Sequence, residues 1–270
     1  MRCANCKISI SGKYWSRDNK NYCPNCHENI RAKCSICKYN LSDKYYVIHS
    51  ENVCLTCADT HNKCSVCDSY ISHITNWGFR YSDERNICGL CEKSSIEKLG
   101  ANNHYEKVSS FLTSIGFIFQ SNHLPKILLV GKEELGNRVG YIRYNYYEKN
   151  FHNVYKDFEI RILCGLPEII FLSILTHELF HMYCRLNAIE KLSNAEEEGL
   201  ANLMQYLYLK SLIPRDKHEE LLINHYKKAM LENTDPIYGQ GFRDIKILYD
   251  NDGINSIFRL IYKKVIKIKS

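Results

Sequence analysis

Residues 173–186 read SILTHELFHMYCRL, and within them His177-Glu178-Leu179-Phe180-His181 sets two histidines four apart with a glutamate directly after the first. On a helix, positions four apart share a face. That spacing lets two imidazoles take one zinc, while Glu178, one step round, reaches the water at such a site. The bland alternative is a core helix whose histidines bond to backbone or carboxylates. A helix is expected here in either case: Gly165-Leu166-Pro167 precedes apolar residues at helical spacing, and Pro167 suits a first turn. Upstream, KILLVG (126–131), VGYIRYNYY (139–147) and FEIRILC (158–164) are rich in β-branched and aromatic residues and read as strands. Before them, SSIEKLGANNHYEKVSSFLTSIGF (94–117) reads as a helix ending near Gly116. Downstream, LSNAEEEGLANLMQYLYL (192–209) reads as a helix with Ser193 or Asn194 as N-cap and an acidic first turn. For Glu196, Glu197 and Glu198 the bland reading is helix-end electrostatics.

The first third of the chain has a different grammar. Twelve of the fourteen cysteines fall before residue 92, all as C-x-x-C: Cys3/Cys6, Cys23/Cys26, Cys34/Cys37, Cys54/Cys57, Cys64/Cys67 and Cys88/Cys91. They form three units, 3–26, 34–57 and 64–91, with a period of about thirty residues that marks an internal repeat. Each C-x-x-C is a tight knuckle aiming two thiolates at one metal, and two knuckles joined by a hairpin complete a tetrahedral site. Tyr14-Trp15, Tyr45-Tyr46-Val47 and Trp77 with Phe79, set among Gly, Asn, Asp and Ser, suit such hairpins. Complete four-cysteine sets leave no place for water, so three structural zinc sites are expected; they are taken as sequential, since spacing leaves cross-braced sharing between neighbouring units open. His27, His61 and His73 are then spare. A disulfide framework fits the even count but wants an oxidising compartment.

Composition sets the frame. At 270 residues the chain holds one substantial core plus a smaller module. Its most apolar window, residues 159–180, is broken by Gly165, Pro167, Glu168 and His177, so no membrane span is expected. Cys3 and Cys6 sit where the apolar region of a secretory signal would begin. A reducing, cytoplasmic location follows as the expectation. The formal charge of +6 counts cysteines as neutral. Twelve thiolates on three zinc ions change it by −12 + 6 = −6, to about zero, which argues against a nucleic-acid partner. Cys164 and Cys184 lie outside the pairs and read as buried thiols. The basic tail RLIYKKVIKIKS (259–270) reads as a solvated helix face.

Several resemblances add to this. The repeats resemble LIM-type zinc fingers, but with linkers of seven and six residues between the metal sites where LIM fingers have two. Glu198-Gly199-Leu200-Ala201 is similar to the E-G-x-A from which glutamate-zincins draw a third zinc ligand. That likeness implies Glu198, with Glu197 as the fallback. The whole run from Ile162 to Leu209 resembles the peptidase core of the DA-one family of plant LIM peptidases. The shared features are G-L-P before the helix, I-L-x-H-E-x-x-H, R-L-N after it and L-S…E-E-G. DPIYGQGFRDI (235–245) is similar to that family's Y-G-x-G-F-R block. Those proteins carry ubiquitin-interacting helices ahead of their LIM region, whereas this chain opens on a cysteine knuckle. By the same likeness, zincins add a Tyr or His donor for the oxyanion, and Tyr238 is the candidate. Arg243 would hold a substrate carboxylate or pair with an acid of the fold. An edge strand beside the zinc would bind an extended substrate, and Phe158 to Cys164 is the expected one.

The expected fold is α+β: residues 1–93 as an array of LIM-like or zinc-ribbon hairpin modules, and residues 94–270 as a zincin-like metallopeptidase domain. The expected function is zinc-dependent hydrolysis of peptide bonds in extended protein segments, with Glu178 as base, one catalytic zinc on His177, His181 and Glu198, and three structural zincs. Ubiquitin or ubiquitinated proteins are the partners that the resemblance implies. The rivals are a non-enzymatic zinc-finger adaptor, against which the intact Glu178 argues, and a DNA-associated protease.

Overall fold

The computed structural model describes residues 1–96, 104–119, 124–149 and 152–265. Two compact units are distinguished, Met1–Arg80 with Arg85–Gly89, and Tyr81–Glu84 with Leu90–Ser270.

Residues 3–93 are built three times over from one local pattern. The residue after each first C-x-x-C (Lys7, Lys38, Asp68) is left-handed, with φ of 65°, 64° and 59°. Its N–H closes a tight turn onto the carbonyl of Cys3, Cys34 or Cys64 at 2.9–3.0 Å. This turn is what makes the knuckle. An antiparallel hairpin follows in each repeat, and its second strand delivers the second cysteine pair into a short helix. The first repeat has β1 (Trp15–Arg17), β2 (Lys20–Tyr22) and α1 (Pro24–Ile30). The second has β3 (Tyr45–Ile48), β4 (Glu51–Cys54) and α2 (Leu55–Thr60). The third has β5 (Gly78–Arg80), β6 (Asn86–Cys88) and α3 (Gly89–Lys93). The apolar core of the middle repeat is only Cys34, Ile36, Leu41, Val53 and Cys57 with a few half-buried neighbours. So small a core leaves the fold dependent on something else.

In the second unit, α4 (Tyr105–Ser114) precedes β7 (Lys126–Val130), a single-turn α5 (Lys132–Leu135), β8 (Gly140–Lys149) and β9 (His152–Leu163). Helix α4 ends at Ser114, with Gly116 left-handed just beyond. The expected helix does not begin at Ser94, because Ser95 is engaged in a bridge with Pro167. Residues 97–103 of that expectation lie outside the described residues.

The strand order is β7-β9-β8, with β7 parallel and β8 antiparallel to β9. This corrects the expected edge strand. Phe158 to Leu163 lies in the middle of the sheet, bonded on both sides, and the strand with a free edge next to the site is β8. Phe158, Ile160 and Ile162 alternate onto one buried face. Against this sheet packs α6 (Glu168–Leu186), buried almost throughout. Pro167 is its N-cap rather than a first-turn residue. Two buried hydroxyls in α6 bond back to their own helix, Ser173 to the Ile170 carbonyl and Thr176 to that of Leu172, both at 2.8 Å.

Helix α7 (Asn194–Ser211) lies on α6 and starts in a reciprocal capping box, Ser193 with Glu196. Then come α8 (Lys217–Glu232), a five-residue π-helical turn (Pro236–Gln240) and α9 (Gly241–Lys264), kinked at Asp252–Gly253. Arg243 bonds to the Leu231 and Asn233 carbonyls and to Gln240, holding the end of α8 against the π-turn, instead of pairing with an acid. Cys184 is buried, but Cys164 is only half-buried. The basic tail is helical to Lys264, and residues 266–270 lie outside the described residues. Among the described residues no helix is long and apolar enough to cross a membrane.

Candidate metal and catalytic site

The twelve paired cysteines converge as three tetrads, each from one repeat: Cys3/Cys6/Cys23/Cys26, Cys34/Cys37/Cys54/Cys57 and Cys64/Cys67/Cys88/Cys91. In each, the sulfurs that face across the tetrad lie 3.8 Å apart, Cys6–Cys23, Cys37–Cys54 and Cys67–Cys88. Two zinc–sulfur bonds at the tetrahedral angle require about 3.8 Å, and a disulfide about 2.05 Å. Backbone N–H groups of Cys23, Cys54 and Cys88 also donate to the sulfurs of Cys3, Cys34 and Cys64 at 3.3–3.4 Å, which favours thiolates. Cys3 and Cys34 are lowered to about 6 by such N–H donors, against the opposing effect of burial. These are zinc-binding cysteine clusters. The spare histidines do other things: His27 stacks on Trp15, His61 bonds to the Cys57 carbonyl, and His73 packs against Trp77.

In the second unit, α6 presents His177 and His181 on one face, and α7 brings its acidic first turn across them. Three atoms converge. The two Nε2 atoms are 3.1 Å apart, and Glu198 Oε2 is 3.2 Å from that of His177 and 3.5 Å from that of His181. Two metal–ligand bonds of zinc–nitrogen length at the tetrahedral angle need roughly 3.3 Å. Glu198 Oε2 is buried and makes no well-aligned hydrogen bond although both imidazoles lie so close. An orphaned carboxylate oxygen facing two ring nitrogens is what a cation would satisfy. The donor set therefore fits one zinc.

Glu197 faces elsewhere. Its Oε1 accepts from Nδ1 of His181 at 2.8 Å and from Nη2 of Arg185 at 2.8 Å, and Arg185 Nε reaches the Tyr144 hydroxyl at 3.1 Å. His177 has no such support, since its buried Nδ1 finds no hydrogen-bond partner among the described residues. Burial works against a charged His181, but the Glu197 carboxylate that accepts from its Nδ1, with Glu198 and Glu178 nearby, raises it to about 10. The same negative surroundings favour a metal cation. Glu178 is buried, and burial pushes its carboxyl up against the lowering influence of His177 and His181.

These groups line a cleft of about 780 Å³. One wall is the free-edge strand, through Val139, Gly140, Tyr141 and Ile142. Gly140 is needed for the approach of strand to helix. A Cβ there would lie 2.7 Å from Ile174 Cγ2 and 3.0 Å from Glu178 Oε1. Tyr238, on the π-turn, stands on the same cleft, partly exposed. Its backbone is held from both sides, the N–H by Asp235 at 2.8 Å and the carbonyl by Asn202 at 3.0 Å. The charge of Glu198, then burial, raises its phenol. Backbone contact between α7 and the start of α9 places this turn. A Cβ on Gly199 would sit 2.4 Å from the Gly241 carbonyl oxygen. Gly199→Ala is expected to cost about 1–3 kcal/mol by overpacking against backbone, read as a lower denaturant midpoint at unchanged slope.

Sequence reading alone did not find Tyr144 and Arg185. Arg185 does carry a signal, one helical turn beyond His181 on the same face.

Comparison with known proteins agrees with the resemblance. A family model described as DA1-like (Protein DA1) matches residues 135–220. Protein DA1 of Arabidopsis thaliana is 30% identical over 106 residues, 31% of this chain and 20% of that protein. Protein DA1-related 7 of the same plant is 24% identical over 127 residues, 38% of this chain and 23% of that protein. The LIM domain-containing protein HDR3 of Oryza sativa subsp. japonica is 44% identical over 54 residues, 20% of this chain and 11% of that protein. The chain thus spans between about a tenth and a quarter of the length of these curated relatives.

Proposed function

We propose, from the premise that residues 135–220 are DA1-like, that the chain is a zinc-dependent endopeptidase with a zincin-like catalytic domain and a protein-binding zinc array ahead of it. The observation that carries this reading is the convergence of both Nε2 atoms and Glu198 Oε2 beside the buried Glu178 carboxylate, on the wall of an open cleft. His177, His181 and Glu198 would hold the metal. Zinc there would supply a Lewis acid and a water of lowered pKa. Glu178 would serve as the base, holding a proton taken from an attacking water in the cleft and passing it to the leaving amine. Its burial makes it a better base than a solvated carboxylate.

Substrate is bound as an added strand along the free edge of β8, which makes flexible protein segments the substrates. Gly140, with no side chain, lets that strand lie close to Glu178. Tyr238 donates to the carbonyl oxygen as it gains charge. Tyr238→Phe is expected to lower kcat by about a hundredfold with little change in KM, measured on a cleaved peptide. The three cysteine tetrads are structural. Ubiquitin or ubiquitinated proteins are partners on this reading, and the cytoplasm is its compartment.

Metal analysis tests the reading first. Close to four zincs per chain are expected, falling by one in His177→Ala, and a count of three in both would sink it. Comparing new protein N-termini in extracts treated with wild type or Glu178→Gln then tests the chemistry. Identical profiles would leave the adaptor reading.

A further inference from the structure

Two adjacent acids at the start of α7 meet the same histidine from opposite sides. Glu198 faces Nε2 of His181 at 3.5 Å, and Glu197 faces Nδ1 at 2.8 Å. A neutral imidazole, the form that binds a metal, carries its lone pair on Nε2 when its Nδ1–H is committed to a carboxylate, and here Nε2 is aimed at Nε2 of His177 and at Glu198. Glu197 is itself fixed. Arg185, four residues beyond His181 on α6, bonds to the same Oε1 at 2.8 Å. The Tyr144 hydroxyl on β8 lies 3.1 Å from Arg185 Nε, and the guanidinium sits over the tyrosine ring, 5.8 Å from its centre. All of these side chains are mostly withdrawn from solvent, Arg185 at 19% and Glu197 at 15% exposure.

We infer that Glu197 is not a metal ligand but a positioning residue, the middle of a chain Tyr144–Arg185–Glu197–His181 that sets the tautomer and ring orientation of His181. The inference rests on the metal site proposed above and deepens it. Charge explains why Glu197 does not compete for the metal. The guanidinium neutralises it, and two donors already converge on the oxygen that would have to turn inward. Glu198 has no such donors, and its Oε2 is left for the metal. The chain is also one-sided. Among the described residues His177 Nδ1 has no hydrogen-bond partner, so the orientation of the ligand set depends on His181. It begins on β8, the strand proposed to carry substrate, so a substrate lying along that edge touches the same element that steadies the ligand.

The test uses the full chain with its cysteine sites loaded, and follows the zinc that a competing chelator removes most easily. In Glu197→Gln, which keeps size and shape, that zinc should be held about 10–100-fold more weakly yet still bind one per chain at excess zinc. Tyr144→Phe should weaken it by a smaller factor at unchanged thermal stability. Cobalt(II) placed in that site alone should keep the visible spectrum of the parent in Glu197→Gln, because the ligands are the same. It should change in Glu198→Ala. An unaltered affinity in Glu197→Gln would overturn the inference. So would a cobalt spectrum that changes in Glu197→Gln and not in Glu198→Ala, since Glu197 would then be the ligand. If His177→Ala releases no zinc, the metal site itself is refuted, and that failure is distinct from the other two.

Discussion

Glu178→Gln is expected to cut peptide hydrolysis by about 10²–10⁴-fold while leaving zinc content, melting temperature and substrate affinity almost unchanged. The size of the effect follows from what the carboxylate alone can do. The carboxylate is placed one residue after His177 and three before His181 on the helix, buried, and beside the wall where substrate would lie. An amide of the same shape fills the same space but cannot accept a proton at neutral pH. The affinities should persist because, among the described residues, no hydrogen bond runs through a charge on Glu178. Its burial raises the carboxyl, so the neutral amide sits at least as comfortably there. The ligand atoms, Nε2 of both histidines and Oε2 of Glu198, are untouched. A steady-state measurement of kcat and KM, with zinc analysis of the same sample, checks all three statements. Loss of zinc together with activity would show Glu178 holding the metal instead of serving as base.

The parts of this arrangement that were legible in the sequence are those written in local spacing. C-x-x-C at a thirty-residue period states the knuckles and the hairpins between them, because four residues are enough to close the turn at Lys7, Lys38 and Asp68. H-E-x-x-H states a shared helix face. Ser193 three residues before Glu196 states the capping box. The parts that were not legible depend on how elements dock. Adjacent residues on a helix diverge by about 100°. Which of Glu197 and Glu198 turns inward is therefore decided by the rotation of α7 on α6, to which Gly199 and Gly241 contribute by letting backbone touch backbone. Strand order is the other case. FEIRILC is the more apolar strand and stands next to the helix in sequence, which made it look like the wall of the site. Those same apolar residues make it the central strand, and the mixed VGYIRYNYY, with one side solvated, takes the edge. Sequence adjacency was a poor guide because β8 and β9 form a hairpin whose first strand, not its last, borders the cleft.

Cys57→Ser should remove one zinc per chain and unfold residues 34–57, with the other cysteine modules unaffected. The reason lies in how little else holds a module. The middle repeat buries Ile36, Leu41 and Val53 with two cysteines. Three such side chains contribute only about 5–9 kcal/mol, less than the backbone entropy lost in ordering the repeat. Hairpins of three and four residues per strand do not close that gap. A structural zinc, at about 10–16 kcal/mol, contributes more than those buried side chains together. Serine in place of a thiolate leaves three strong ligands, opens the site and forfeits much of that binding. Because every tetrad draws its four sulfurs from one repeat, the damage should stop at the repeat boundary. Limited proteolysis with mass mapping reads this directly: new cuts should appear between residues 34 and 60 and nowhere else in the array. Cuts in two repeats would mean ligands shared between neighbours. An unchanged zinc count with full resistance would mean that the hairpins stand without the metal, and the array would then need another source of stability.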